Sequence, residues 1–176
     1  MIIAKYDDVI LREFEERDIE LKVKWINDFN NNQFLHYDLP ASVERTREWF
    51  NGKDNSKRVD CTIEYNGIPV GVIGLLRIDN INRKAEYYIT VGDTSFKKKG
   101  IGAKATKAIV EYGFNVLKLN KIFLNVDSEN KSAIKLYEKV GFKQEGHFVE
   151  DLYSKRKNRF IDRDRYSVIK HVKKGE

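Results

Sequence analysis

The sequence predicts an α/β (α+β) domain: one mixed, mostly antiparallel central sheet of about seven strands with helices on both faces. Three observations carry this. Apolar residues alternate strictly at 59–65 and 85–91, flanking a third apolar run at 70–78. From Ile101 the period becomes that of a helix, and helix and strand patterns then take turns. The chain holds two prolines in 176 residues and no glycine/serine-rich linker, so residues 1–176 read as a single domain.

Val9 to Phe14 reads as a first short strand. Asp18 is a candidate N-cap for a helix carrying Ile19, Val23 and Ile26, with Trp25 and Phe29 close by. Asn27 to Ala41 is polar and aromatic, and reads as a loop. Ser42 can cap a second helix with Val43, Trp49 and Phe50. Val59, Cys61, Ile63 and Tyr65 form a half-buried strand, and Asn66-Gly67 turns it into Val70–Ile78, since both turn residues tolerate positive φ. After a turn at 79–82, Ala85, Tyr87, Ile89 and Val91 mark the next strand.

Ile101, Ala105, Ala108, Ile109, Tyr112 and Val116 share one helical face. Ile122, Leu124 and Val126 mark a strand. Ala133, Ile134, Tyr137 and Val140 mark a helix, ended by Gly141. Phe142 to Val149 and Arg165 to Val172 read as the last two strands. A meander leading into a βαβ unit gives a mixed sheet.

Composition narrows the function. A net charge of +6 suits an anionic cofactor or nucleic acid. A nucleic-acid module should interleave a basic stripe with exposed aromatics, whereas the aromatics here sit at core-periodic positions, so no nucleic-acid partner is expected. No apolar run approaches the ~18 residues of a membrane span, so no membrane partner is expected either. The stretch from Met1 to Asp8 lacks the pattern of a secretory leader, and a cytoplasmic location is expected. The single cysteine, Cys61, has no partner for an internal disulfide, and His36, His147 and His171 show no ligand spacing, so no metal is expected.

The chemistry-bearing stretch is Lys97-Lys98-Lys99-Gly100-Ile101-Gly102-Ala103, between a strand and an amphipathic helix. Two glycines let a ligand approach the backbone, the helix start adds partial positive charge, and three lysines add formal charge. Together they suit a pyrophosphate. Gly100-x-Gly102-x-x-Ala105 also matches a dinucleotide fingerprint, with Asp127 near the expected ribose-binding acid. Against that, Gly92 to Lys99 separate the glycines from their strand, and an antiparallel meander precedes them. Ordinary loop punctuation is the third reading.

This stretch resembles motif A of the GNAT acetyltransferases, Q/R-x-x-G-x-G/A, with Lys97 where Gln or Arg is usual. A second match follows. Residues 130–142, Asn130-Lys131-Ser132-Ala133-Ile134-Lys135-Leu136-Tyr137-Glu138-Lys139-Val140-Gly141-Phe142, look like N-x-x-A-x-x-x-Y-x-x-x-G-F of that family. The resemblance spans roughly Cys61 to Val172. It implies a GNAT-like fold and an acetyl-CoA-dependent N-acetyltransferase acting by direct attack of an amine on the thioester.

The resemblance also implies roles. Backbone groups of Lys97, Lys98, Lys99, Gly100, Ile101, Gly102 and Ala103 would hold the pyrophosphate. The strand Glu86 to Val91 would splay from its neighbour, Ile89 and Val91 would meet the pantetheine arm and thioester, and the Val91 N–H would polarise the carbonyl. Tyr137 would protonate the departing thiolate; its apolar helical face equally suits plain core. Asn130 would contact the pantetheine arm, or act as a helix cap, or both. Glu86 would accept the amine proton, or be a solvated carboxylate paired with Arg83 or Lys84. Cys61 alternates with core residues and reads as core rather than as an acetyl-cysteine. His36 lies in a loop that would border the acceptor.

The acceptor half would be built by roughly Asn27 to Trp49 and Glu150 to Arg163. A polyamine would want carboxylates, for which Asp28, Asp38, Glu44, Glu150 and Asp151 are candidates. A nucleotide-linked amino sugar would want Lys155, Arg156, Arg159, Phe34 and Tyr37. A small-molecule amine is expected, with the sugar slightly preferred. Polyamines, a ribosomal-protein N-terminus and a non-catalytic binding domain are the alternatives. A homodimer is compatible with the family.

Overall fold

The computed structural model describes residues 1–36 and 38–170. Tyr37, His171 and the end of the predicted last strand at Val172 lie outside them. Among the described residues eight strands and four α-helices follow one another: β1 (Ile2–Tyr6), β2 (Val9–Glu13), α1 (Ile19–Asn27), α2 (Val43–Gly52), β3 (Val59–Tyr65), β4 (Ile68–Asp79), β5 (Lys84–Val91), α3 (Ile101–Asn115), β6 (Lys121–Asp127), α4 (Lys131–Val140), β7 (Lys143–Ser154) and β8 (Arg159–Ile169). They form one sheet in the order β1-β2-β3-β4-β5-β6-β8-β7. Every neighbouring pair is antiparallel except β5 and β6.

The sheet expected with about seven strands has eight, the added one being β1. Ile2–Tyr6 turns back onto β2 through Asp7, whose φ of 51° is positive. It is a short edge strand without alternation, which explains its weak signal. The last hairpin is longer than predicted. The basic run at 155–158 is its turn, and a bulge between Phe148 and Leu152 absorbs the residues that break the alternation.

Helices cover both faces. Against α3 and α4 lie Leu11, Ile63, Ile73, Leu75, Ala85, Tyr87, Ile122 and Leu124. The opposite face carries Phe14, Val72 and Tyr88 beneath α1 and α2. Cys61 is fully buried in the first cluster, and burial pushes its thiol up to about 12, so it is core and not a thiolate nucleophile.

The caps follow the sequence except one. Ser42 Oγ accepts from Arg45 N–H at 3.2 Å, and Asn130 Oδ1 from Ala133 N–H at 3.2 Å. Asp18 makes no cap bond to α1. Its buried carboxylate instead receives Arg12 at 2.6 and 2.7 Å, Thr62 Oγ1 at 2.9 Å and Glu15 N–H at 2.9 Å. Tertiary pairing has taken the side chain from the local bond.

Candidate active site

The parallel pair β5–β6 opens. Only Lys84–Lys121, Ala85–Ile122 and Glu86–Phe123 are in register. Beyond them β5 runs on to Val91 and β6 to Asp127 without pairing, leaving a wedge-shaped gap. Gly92 N–H donates to Val70 O at 2.9 Å on the β4 side. Antiparallel alternation then turns the N–H and C=O of Val91 and Ile89 the other way, into the gap. Gly92 ends the strand because nothing larger fits: a Cβ there would run into the Trp25 ring. Asn31 ties the α1–α2 loop to the same point, donating from Nδ2 to Gly92 O at 2.7 Å.

After β5 the chain reverses through Lys98 (φ 64°) and Gly100 (φ 76°) into α3. Gly100 occupies the N-cap position and no side chain caps the helix. The first helical bond is Lys104 N–H to Gly100 O at 3.1 Å. The N–H groups of Ile101, Gly102 and Ala103 therefore have no intrahelical acceptor and point out with the positive end of the dipole. A Cβ on Gly102 would sit 3.5 Å from Leu136 and 3.7 Å from Val91, so this helix start lies against the open end of the gap. Lys97 Nζ donates to Asn30 O at 3.1 Å, Lys99 lies 4.9 Å from the Phe96 ring centroid, and Lys98 is exposed. This donor set fits a pyrophosphate.

Tyr137, on α4, belongs to the α3 side of the sheet and is 9% exposed. Its ring meets Tyr87 edge-on at 5.8 Å. Burial pushes its phenol up to about 12, so it holds its proton at neutral pH. Glu86 lies on the other face at the closed end of the gap, where its carboxylate receives Arg77 at 2.6 Å, rather than Arg83 or Lys84. That places it five residues, roughly 17 Å, along the strand from Val91.

The two stretches expected to form the acceptor half do meet. Lys155 pairs with Asp38 at 2.7 Å, Arg156 donates to Asn32 and stacks 4.7 Å from Phe29, and Lys157 lies 5.2 Å from Phe34. Lys157 and Arg159 both hold Glu129, keeping its carboxyl at about 2. The cations that a sugar nucleotide would need are thus engaged with protein groups.

Two cavities open here. The larger, about 390 Å³, lies between α1 and α2 and is lined by Lys22, Arg45, Arg58, Trp49 and Tyr88. The smaller, about 240 Å³, is lined by Asp127, Glu129, Glu150 and Asp162, with Arg159 the one cation in its wall. Asp127 is 4% exposed; its Oδ1 lies 2.8 Å from His36 Nε2, and its buried Oδ2 has no partner among the described residues. Sequence reasoning singled out His36, and Asp127 only as a possible ribose-binding acid, but did not join them, because 91 positions separate them. Among the described residues no side-chain cluster suits a metal ion, and no helix is long and apolar enough to cross a membrane.

The family described as Acetyltransferase (GNAT) domain matches residues 8–143. Spermidine N(1)-acetyltransferase of Escherichia coli (strain K12) is 36% identical over 91 residues, covering 52% of this chain and 48% of that protein, so the matched part spans about half of its length. The Vibrio cholerae spermidine N(1)-acetyltransferase is 31% identical over 149 residues, covering 81% and 83%. A crystal structure of the Vibrio cholerae enzyme with CoA and spermine superposes with a TM-score of 0.85 at 27% identity, covering 93% of this chain and 96% of that one. A dodecameric structure of that enzyme gives 0.78 at 25% identity, covering 93% and 94%. A family model over residues 8–143 and a relative 31% identical over most of both chains place the chain in the GNAT acetyltransferase family, whose members take their acetyl group from acetyl-CoA.

Proposed function

We propose that the chain transfers acetyl from acetyl-CoA to a primary amine of a polyamine. The observation that carries the acceptor class is the acidic cavity at the end of β6, where Asp127 presents a buried oxygen without a partner. A buried carboxylate oxygen left unmade is costly, and an ammonium group satisfies it. The relatives named as spermidine acetyltransferases support the same class. The slight preference for an amino sugar loses its basis, since Lys155, Arg156 and Arg159 are already engaged. The larger cavity sets three cations, Lys22, Arg45 and Arg58, against the single carboxylate of Asp38, a poorer match for a polycation than the acidic one.

In this reading the pyrophosphate rests on the N–H groups of Ile101, Gly102 and Ala103, with Lys97, Lys98, Lys99 and Gly100 around it. The pantetheine arm runs in the gap beside Ile89 and Val91, with Asn130 at the start of α4 beside its path. The Val91 N–H polarises the thioester carbonyl. Tyr137, neutral and with no hydroxyl partner among the described residues, gives its proton to the leaving sulfur. Glu86, bound to Arg77, serves the closed end of the gap. The chain assembles with copies of itself, as the Vibrio cholerae enzyme does in its dodecameric structure; light scattering reads the assembly.

Thiol release measured across spermidine, spermine, a nucleotide-linked amino sugar, an aminoglycoside and an N-terminal peptide tests the acceptor. Turnover with the polyamines should lead. A lead by the amino sugar would overturn the reading.

A further inference from the structure

Across the gap from the end of β5 stands a histidine that no family motif contains. The last paired residues of the splayed strands are Glu86 and Phe123. Four positions further on each strand, on opposite sides of the gap, stand Thr90 and Asp127. Next to Thr90 is Val91, whose N–H points into the gap. Asp127 follows Phe123 and Asn125 on the face under α1 and α2, away from the core residues Leu124 and Val126. His36 comes down from the α1–α2 loop onto this carboxylate, with its side chain 28% exposed.

The chemistry of the pair follows from its hydrogen bond. The ionised carboxylate accepts, so Nε2 carries the proton and the Nδ1 lone pair is left over. Nδ1 has no partner among the described residues. Three of the other polar side chains on this face of the two strands are occupied. Glu86 holds Arg77, Tyr88 donates to Asp60 at 2.8 Å, and Asn125 accepts from Arg165 at 3.1 Å. The charged groups around His36 are Asp127 on β6, Asp38 on its own loop, Lys155, Arg156 and Lys157 at the hairpin turn, and Glu129 with Arg159 beyond them. The hairpin charges are tied to Asp38, Asn32 and Glu129 respectively, with Arg159 also on Glu129.

We propose that His36 is the base that takes the proton of the acceptor amine, with Asp127 as its positioning residue. The proposal rests on acetyl transfer at the β5–β6 gap and not on the acceptor being a polyamine. The ammonium group gives one proton to Nδ1, and the imidazolium passes it to solvent. The freed lone pair forms the N–C bond while the carbonyl opens to an oxyanion at the Val91 N–H. On collapse the C–S bond breaks and the sulfur takes the proton of Tyr137. The second proton of the new amide nitrogen restores the tyrosine through water. One proton in all is released for each amide made.

The test is the single-turnover rate against pH for wild type, His36→Gln and Asp127→Asn, with whichever amine of the panel turns over. Glutamine keeps a donor for Asp127, so it restores a purely structural clamp but not a base. Wild type should show an acidic limb, since only neutral imidazole accepts a proton. His36→Gln should lose about 10²-fold and the limb with it. Asp127→Asn should fall between the two. Affinity for acetyl-CoA, read by calorimetry, should stay within threefold for both variants. A His36→Gln enzyme with the wild-type rate and pH profile would overturn the base. So would a loss that appears only in Tm or in KM.

Discussion

The Tyr137 ring meets the Tyr87 ring edge-on at 5.8 Å, yet among the described residues only one of the two hydroxyls has a partner. Tyr87 Oη lies 2.7 Å from Thr106 Oγ1, which itself donates to Gly102 O at 2.6 Å. Thr106 has one proton, so Tyr87 must be the donor of the first bond. Tyr137 has no such partner among the described residues. The two phenols therefore differ in what their protons can do.

Tyr137→Phe should lower kcat by about 10²-fold while affinity for acetyl-CoA changes far less, because the lost interaction belongs to the transition state. Tyr87→Phe should do the opposite, costing about 1 kcal/mol of stability and sparing kcat. Tm and a pre-steady-state rate on the same preparations separate them. A Tyr137→Phe enzyme with a normal chemical step would remove the acid role.

Gly102 offers a graded probe of the helix start. Its missing Cβ has ordinary clearance from Leu136 and Val91, so Gly102→Ala should fold and bind acetyl-CoA within a few-fold of wild type. Gly102→Glu puts a negative charge among the N–H donors and should abolish binding in calorimetry. Equal affinity in both variants would place the phosphate site elsewhere.

For the acceptor, Glu150→Gln together with Asp162→Asn should raise KM for spermidine at least tenfold and leave KM for acetyl-CoA alone. Lys22→Met in the cationic cavity should leave both unchanged. Steady-state kinetics with each substrate varied in turn would show an unmoved spermidine KM if the acidic cavity plays no part.

Asp18 gives a stability prediction with a sign. Burial opposes its charge, but Arg12, Glu15 N–H and Thr62 outweigh that and hold the carboxyl below its ordinary value. A depressed carboxylate contributes stability above its unfolded pKa, near 4, and that contribution is lost as pH falls through the lower folded value. Asp18→Asn should therefore cost about 3 kcal/mol near neutrality, and less as the pH drops towards 3. Thermal melts of both proteins from pH 3 to 7 should converge at the acid end.

The strands and helices of the core were legible because their periods are set by burial: Val59–Tyr65, the turn at Asn66-Gly67 and the α3 face from Ile101 to Tyr112 stand where the pattern puts them, while Val116, expected on that face, caps the helix and is exposed. The helix start at Gly100 and the tyrosine of α4 were legible because local motifs carry them. What the sequence withheld depends on distant pairing. The edge strand Ile2–Tyr6 has no alternation to read. Asp18 left its cap for Arg12. The role of Lys155, Arg156 and Arg159 turned on partners far along the chain, and so did the meeting of His36 with Asp127.

The most direct measurement is transfer itself. Acetyl-CoA labelled at the carbonyl carbon is mixed with the protein and spermidine, and the label is followed by NMR. The expected result is that the thioester signal gives way to an amide signal on acetylspermidine, with one free thiol for each amide formed. A thioester that persists, or is merely hydrolysed, while another amine of the panel is acetylated would contradict the polyamine reading.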